Sequence, residues 1–191
     1  MVPAIIAGAI VLLVILPLIA SYNGMVNREA SADQSFADLD AQLQRRNDLI
    51  PNLVAAVRGA LNQEQAVFGE LARARANYAG ASTPSQKFDA SNQIDSGLGR
   101  LLVIVENYPE LHSSANIQDL QTQLEGTENC IAQARRDYNG VVTSYNASIR
   151  RFPRSIVAGL FGFDAKALFQ ATPGASEPPT VDLSNPTTIV R

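Results

Sequence analysis

The chain has 191 residues, with 15 Lys and Arg against 18 Asp and Glu, a single Cys, a single His and no Trp. A net charge of −3 gives no basic field for nucleic acid, one cysteine permits no internal disulfide, and one histidine leaves a His-based metal centre short of ligands. Mean hydropathy is close to zero, high for a soluble chain, and the first twenty residues supply much of it.

No charged side chain precedes Arg28. Residues 2–20 are almost wholly apolar, and about 20 helical residues at ~1.5 Å each span a hydrocarbon core of ~30 Å. A cleaved signal would want a basic start, a shorter apolar stretch and a small residue three places before the cut. Here no Lys or Arg precedes the run, and Leu18-Ile19-Ala20 has a large residue at that place. The expectation is an uncleaved anchor over residues 1–22. Pro3 falls at a tolerant helix start, and Pro17 can kink the span. Arg28, Arg45 and Arg46 all follow the span, a bias that puts the remaining chain in the cytoplasm. An outward-facing domain is the rival reading.

Residues 23–46 read as helix, with Val26, Phe36, Leu39 and Leu43 near one stripe. A second helical stretch carries Leu49, Ile50, Leu53, Val54, Val57, Leu61, Phe68 and Leu71. Pro51 leaves two readings open. Asn47 or Asp48 could cap a new helix with Pro51 in its first turn, or one long helix could bend there. Gly80, Ser82, Thr83, Pro84 and Ser85 form a loop. A third helix follows over residues 85–108, with Phe88, Ile94, Leu98, Leu101, Leu102 and Val105, and Pro109 ends it. Asn116 is placed to cap the strongest helix. Its seam of Ile117, Leu120, Leu124, Ile131, Ala134, Tyr138, Val141 and Tyr145 steps by three and four, interrupted by Thr127. No alternating segment flanked by hairpin turns is present, so no strand is expected. After Phe152-Pro153 a short apolar helix is expected over residues 153–171, then a flexible Pro-rich tail over 172–191. The predicted fold class is all-α: an N-terminal transmembrane helix, then an antiparallel, four-helix, up-and-down bundle over residues 23–152.

Specific strings carry a resemblance. Tyr22-Asn23-Gly24, then Gln42-Leu43-Gln44-Arg45-Arg46-Asn47-Asp48-Leu49-Ile50-Pro51-Asn52-Leu53-Val54, resembles the LemA family. Glu106-Asn107-Tyr108-Pro109-Glu110-Leu111 is similar to that family's second block. Leu124-Glu125-Gly126-Thr127-Glu128-Asn129, Ala134-Arg135, Tyr138-Asn139 and Tyr145-Asn146 are similar to its third, and Phe152-Pro153 with Gly162-Phe163 to its end. The resemblance covers residues 20–170. It implies a single-pass protein of the bacterial inner membrane with a helical-bundle domain, and it implies no reaction. Cys130 stands where the family usually has arginine, so any charge network through that point is rearranged.

Candidate sites follow from residue type and spacing. Arg45, Arg46, Asp48 and Asn52 make a polar cluster near a helix junction, and an arginine fork suits cross-links to carboxylates. Glu106, Glu125 and Glu128, on other helices, are the expected partners, and Arg135 belongs to the same candidate network. Glu125 and Glu128 share a helix face, but a di-metal bundle wants Glu-x-x-His motifs that are absent here, so no metal or cofactor is expected. Tyr138 and Tyr145 are expected in the core, each hydroxyl satisfied at an edge. Cys130, beside the seam, is expected buried or half-buried, and His112 on the surface or at a cap. Phe152, Ile156, Leu160, Phe161, Phe163 and Phe169 form the candidate docking segment, with Arg150, Arg151 and Arg154 at its start suited to anionic headgroups. The expected function is a non-enzymatic scaffold bound to membrane lipid, assembling with copies of itself or with other membrane proteins and not with nucleic acid. The alternative is a tethered sensor or adaptor that binds a peptide or small ligand in the polar seam.

Overall fold

The computed structural model describes residues 2–59 and 65–170, and for residues 2–12 and 14 it describes the backbone alone. The chain is all-α, with no strand among the described residues. The first helix, α1 (Val2–Arg58), runs 57 residues through both Pro17 and Pro51. Of the two readings at Pro51, the single helix is the one adopted. A proline ring removes the N–H that would bond the carbonyl four residues back, here Asn47. That carbonyl accepts instead from Arg75 Nε at 3.1 Å, so no acceptor is orphaned and the helix continues.

The chain goes on as α2 (Gln65–Gly80), α3 (Pro84–Asn107), the single turn α4 (Pro109–His112), α5 (Ala115–Ile149) and α6 (Arg154–Phe161). Thr83 caps α3 in a reciprocal capping box with Gln86, and Pro84 takes the first helical position. Ser114, not Asn116, is the N-cap of α5. Among the described residues no helix is long and apolar enough to cross a membrane. Most side chains of the predicted span lie outside the described residues, so the anchor over 1–22 is not shown by them. The predicted tail over 172–191 lies outside the described residues altogether.

The long helices pack as two antiparallel pairs. Arg28 Nη1 donates to Ser144 Oγ at 2.9 Å, the Phe36 and Tyr138 rings are 6.0 Å apart, and Arg46 meets Glu128 at 3.1 Å. Each step along α1 is thus matched by an equal step back along α5. The pairing of α2 with α3 is equally regular, through Glu70 with Arg100 at 2.6 Å and Asn77 with Gln93 at 2.9 Å. Gly97 makes their close approach possible, because a Cβ there would meet Leu71 Cδ2 at 2.8 Å. Between the pairs, Phe36, Phe88 and Tyr138 act as spacers, with Phe88 and Tyr138 5.5 Å apart.

Leu39, Leu43, Ile50, Leu53, Ile94, Leu101 and Ile117 are all buried, so the predicted apolar stripes do form the core. Their phase differs in detail. Met25 is buried and Val26 exposed, and Val142 is more deeply buried than Val141. Thr127 is buried in the seam and donates its hydroxyl to the Gln123 carbonyl at 2.8 Å, which is how a polar group is tolerated there. Cys130 is exposed, contrary to expectation, because the neighbouring Ile131 takes the inward position.

The predicted helix over 153–171 is cut short. After the cis Phe152–Pro153 peptide, α6 lasts only eight residues. Gly162, at φ +73°, closes it in the left-handed conformation that glycine adopts without a Cβ penalty. Residues 163–170 then run extended up the bundle.

Candidate functional site

Three polar features and one apolar surface stand out. The first is built on Arg46, whose side chain is 1% exposed. It pairs with Asp95, reaches Glu128 Oε1 at 3.1 Å, and its Nη2 donates to Ser91 Oγ at 2.6 Å and the Ser91 carbonyl at 3.3 Å. One guanidinium therefore joins α1, α3 and α5. Of the predicted network, Arg46 and Glu128 meet directly. Arg45, Asp48 and Asn52 are exposed, and the Asp48 carboxylate accepts only from Gln44 on its own helix. Arg135 lies 5.7 Å over the Phe169 ring. Sequence reasoning missed Asp95 and Ser91. The available signal was that both share an inner edge of their helix with Leu98 and Leu102, an odd place for a carboxylate. Asp95 has its pKa raised by desolvation, an effect that the Arg46 charge opposes and Glu128 reinforces.

A second knot lies lower on α1. Asp40 accepts from the Tyr78 hydroxyl at 2.5 Å and pairs with Lys87, which ties α1 to α2 and α3. Burial and the Asp40 carboxylate push the Tyr78 phenol well above its ordinary value.

The third feature is the extended segment over 163–170. Asn146 clamps Lys166, its Nδ2 donating to the carbonyl and its Oδ1 accepting the N–H, both at 2.9 Å. Asn139 holds Phe169 in the same way, again at 2.9 Å for each bond. The Tyr138 hydroxyl donates to the Ala167 carbonyl at 2.7 Å, and Lys166 Nζ reaches Asp33 at 2.7 Å. Phe169 is buried and stacks on Phe88 with centroids 4.4 Å apart. Asn139 and Asn146, with the Tyr138 hydroxyl, are thus a backbone clamp. Seven helical residues rise ~10.5 Å, close to three extended residues at ~3.4 Å each, so two asparagines a heptad apart grip residues 166 and 169. Only one of the two tyrosine hydroxyls is satisfied as expected. The Tyr145 hydroxyl is buried with no partner among the described residues, and burial raises its pKa to about 12.

The apolar surface is at the end of the bundle where α5 finishes and α1 passes Tyr22 and Met25. Buried Val157 and Ala158 seat α6 on Met25, Tyr145 and Ile149. Tyr22 packs against Phe161 and Phe163, with centroids 4.8 Å and 5.7 Å away. Around α6 much apolar surface stays open: Phe152, just before the helix, and Ile156, Leu160 and Phe161 within it are 82%, 51%, 74% and 62% exposed. Of the six predicted docking residues these four face outward, whereas Phe163 is half-buried and Phe169 belongs to the clamped segment. Arg150 and Arg151 are exposed and Arg154 half-buried at the same end.

Between α3 and α5 a groove of ≈650 Å³ is lined by Asp95, Leu98, Leu102, Glu106, Leu124, Glu125 and Glu128 among others. The three glutamates expected to serve the arginine cluster therefore share one surface, and only Glu128 reaches an arginine. Among the described residues no group of three His, Cys, Asp or Glu side chains could hold a metal ion.

The sequence model of the LemA family matches residues 35–183. Magnetosome protein MamQ 2 of Paramagnetospirillum magneticum is 26% identical over 187 residues, covering 84% of this chain and 69% of that protein. Magnetosome protein MamQ of Magnetospirillum gryphiswaldense is 25% identical over 187 residues with the same coverage. Protein LemA of Metamycoplasma hominis is 26% identical over 151 residues, covering 78% of this chain and 69% of its own.

Proposed function

The chain belongs to the LemA family, and on that premise we propose that it is a single-pass membrane protein whose bundle is a non-catalytic scaffold standing on the bilayer. The observation that carries this reading is the position of α6. It packs on α1 at Tyr22 and Met25, immediately past the uncharged apolar run, and turns Phe152, Ile156, Leu160 and Phe161 outward at that level. An apolar face flanked by arginines, beside an interfacial tyrosine, is what a helix lying in the headgroup region requires. The run before Arg28 contains no charge and is part of the same helix that enters the bundle. Anchor and stalk are then one rod, which fixes the height of every surface above the membrane. The arginines after the run favour a bundle on the cytoplasmic side.

Fractionation of cells expressing the full chain tests the anchor. The protein should resist alkaline carbonate extraction, and protease added to spheroplasts should leave the bundle uncut. A mature chain free in the soluble fraction with its first two dozen residues removed would overturn the proposal. Self-association belongs to the same reading, supported by the bare apolar surface at the base. The mass of the detergent-extracted particle tests it, a strict monomer at native abundance counting against it.

A further inference from the structure

We propose that the groove between α3 and α5 receives a basic, amphipathic helical segment of a partner protein. These two helices hardly approach each other, unlike the tight pairs α1 with α5 and α2 with α3. The opening of ≈650 Å³ between them has Leu98 and Leu124 buried in its floor and Leu102 half-buried. Its rims are acidic on both sides, with Glu106 on α3 and Glu125 and Glu128 on α5, and Asp95 closes the lower end. Arg46, the cation touching this cluster, is buried and engaged by Asp95 and Glu128. Glu106 and Glu125 are exposed and have no ion-pair partner among the described residues.

Size and charge together specify the occupant. From Asp95 to Glu106 the groove follows about three helical turns, ~16 Å. That length takes apolar anchors at i, i+3 or i+4 and i+7 over the leucine floor, with flanking Lys or Arg meeting the carboxylate rims. The segment that follows the clamp is no match. The clamped segment ends at Gln170, whose carbonyl accepts from Asn92 at 3.3 Å one turn below Asp95. Residues 171–191 beyond it carry Glu177 and Asp182 against Arg191 alone, the sign the groove already has. The α6 region of a second copy has suitable residues, but in a chain anchored in the same bilayer it lies ~35 Å below the groove, measured along α5. That last exclusion rests on the proposed anchoring.

The test uses the full chain in nanodiscs of zwitterionic lipid. The probe is a fluorescein-labelled Leu/Lys peptide of about four helical turns, its leucines at helical spacing, read by anisotropy against empty discs. The peptide should bind, and added salt should weaken it. Glu106→Lys combined with Glu125→Lys should weaken it about tenfold or more, with the circular dichroism and melting temperature of the chain retained. Gly99→Trp, at a position where a Cβ meets nothing within 4 Å, should block the groove without changing its charge. Equal binding to the charge-reversed chain, equal binding of a Leu/Glu peptide, or a signal no greater than that of empty discs would overturn the proposal. So would tighter binding of a peptide of residues 150–161, which would assign the groove to a second copy. If the chain proves not to be anchored, the same titration in buffer still decides the question.

Discussion

Arg46 is held by two carboxylates, a hydroxyl and a carbonyl, yet both carboxylates keep more than a third of their surface in water. Removing the guanidinium therefore does not strand two fully buried charges, and the cost falls below that of a sealed pair. Arg46→Met should destabilise the chain by about 2 kcal/mol in urea unfolding. Arg46→Lys should recover less than half of it, because an ammonium cannot span three helices as a fork does. Asp95 contributes in the opposite sense. Its folded-state pKa is raised, so its ionisation costs stability as pH climbs through that value, and the cost vanishes below the unfolded pKa. Asp95→Asn should thus be relatively more stabilising, or less destabilising, at pH 7 than at pH 3, in paired urea melts. The glycines of α3 give a sharper contrast. Gly97→Ala should cost about 1–3 kcal/mol, since the new Cβ overlaps Leu71, whereas Gly99→Ala, facing open space, should gain up to about 1 kcal/mol in helix propensity. Thermal melts of the two single variants suffice to check this. Helical spacing puts Gly97 between Ile94 and Leu101 on the apolar stripe, but only the packing shows that the Leu71 side chain fills the space a Cβ would need there.

Residues 163–170 show how an element without regular structure acquires a fixed course. They make no ladder of their own, so their backbone groups need outside partners. Asn139 and Asn146 supply four of those bonds from one helix face. Asn139→Ala should free the Phe169 amide, and Asn146→Ala the Lys166 amide. Each should speed hydrogen–deuterium exchange over 164–170 while leaving exchange in α5 unchanged. Exchange that stayed slow in both variants would show that Phe169 packing alone holds the segment. The sequence displayed the Tyr-Asn repeats and their heptad spacing, and from those a core role for the tyrosines was legible. The asparagines' role was not, since their partners lie about 20 to 30 residues away and are backbone groups, which have no residue identity to read. Pro51 is a similar case: its effect on α1 depends on Arg75, a residue of another helix.

At the scale of the whole molecule, α1 beyond Arg28 and its partner α5 form a stalk of ~45–50 Å. The apolar surface of α6 is at one end, and the acidic groove is well above it. If the stalk stands on a bilayer, probes at the two heights should respond differently. In a Cys130→Ser background, a fluorophore at Leu160→Cys should be quenched by lipids brominated near the headgroups, and one at Val103→Cys should not. Both parent side chains are exposed, at 74% and 56%, so labelling itself does not distinguish them. Equal quenching at the two sites would remove the assigned orientation of the bundle.

By itself the sequence determined the all-helical class, the stripes that become the core, the loop before α3 and the uncharged opening run. These are local matters, fixed by the 3.6-residue period, by Gly, Ser and Pro at a turn and by the absence of charge over consecutive residues. Only the tertiary structure decided that Arg46 meets Asp95, that α3 and α5 stay apart over an acidic groove, and that the apolar C-terminal segment divides into a surface helix and a clamped irregular segment. Those outcomes depend on which turn of one helix lies beside which turn of another. That register is set by many packing contacts acting together, and no short stretch of sequence encodes it.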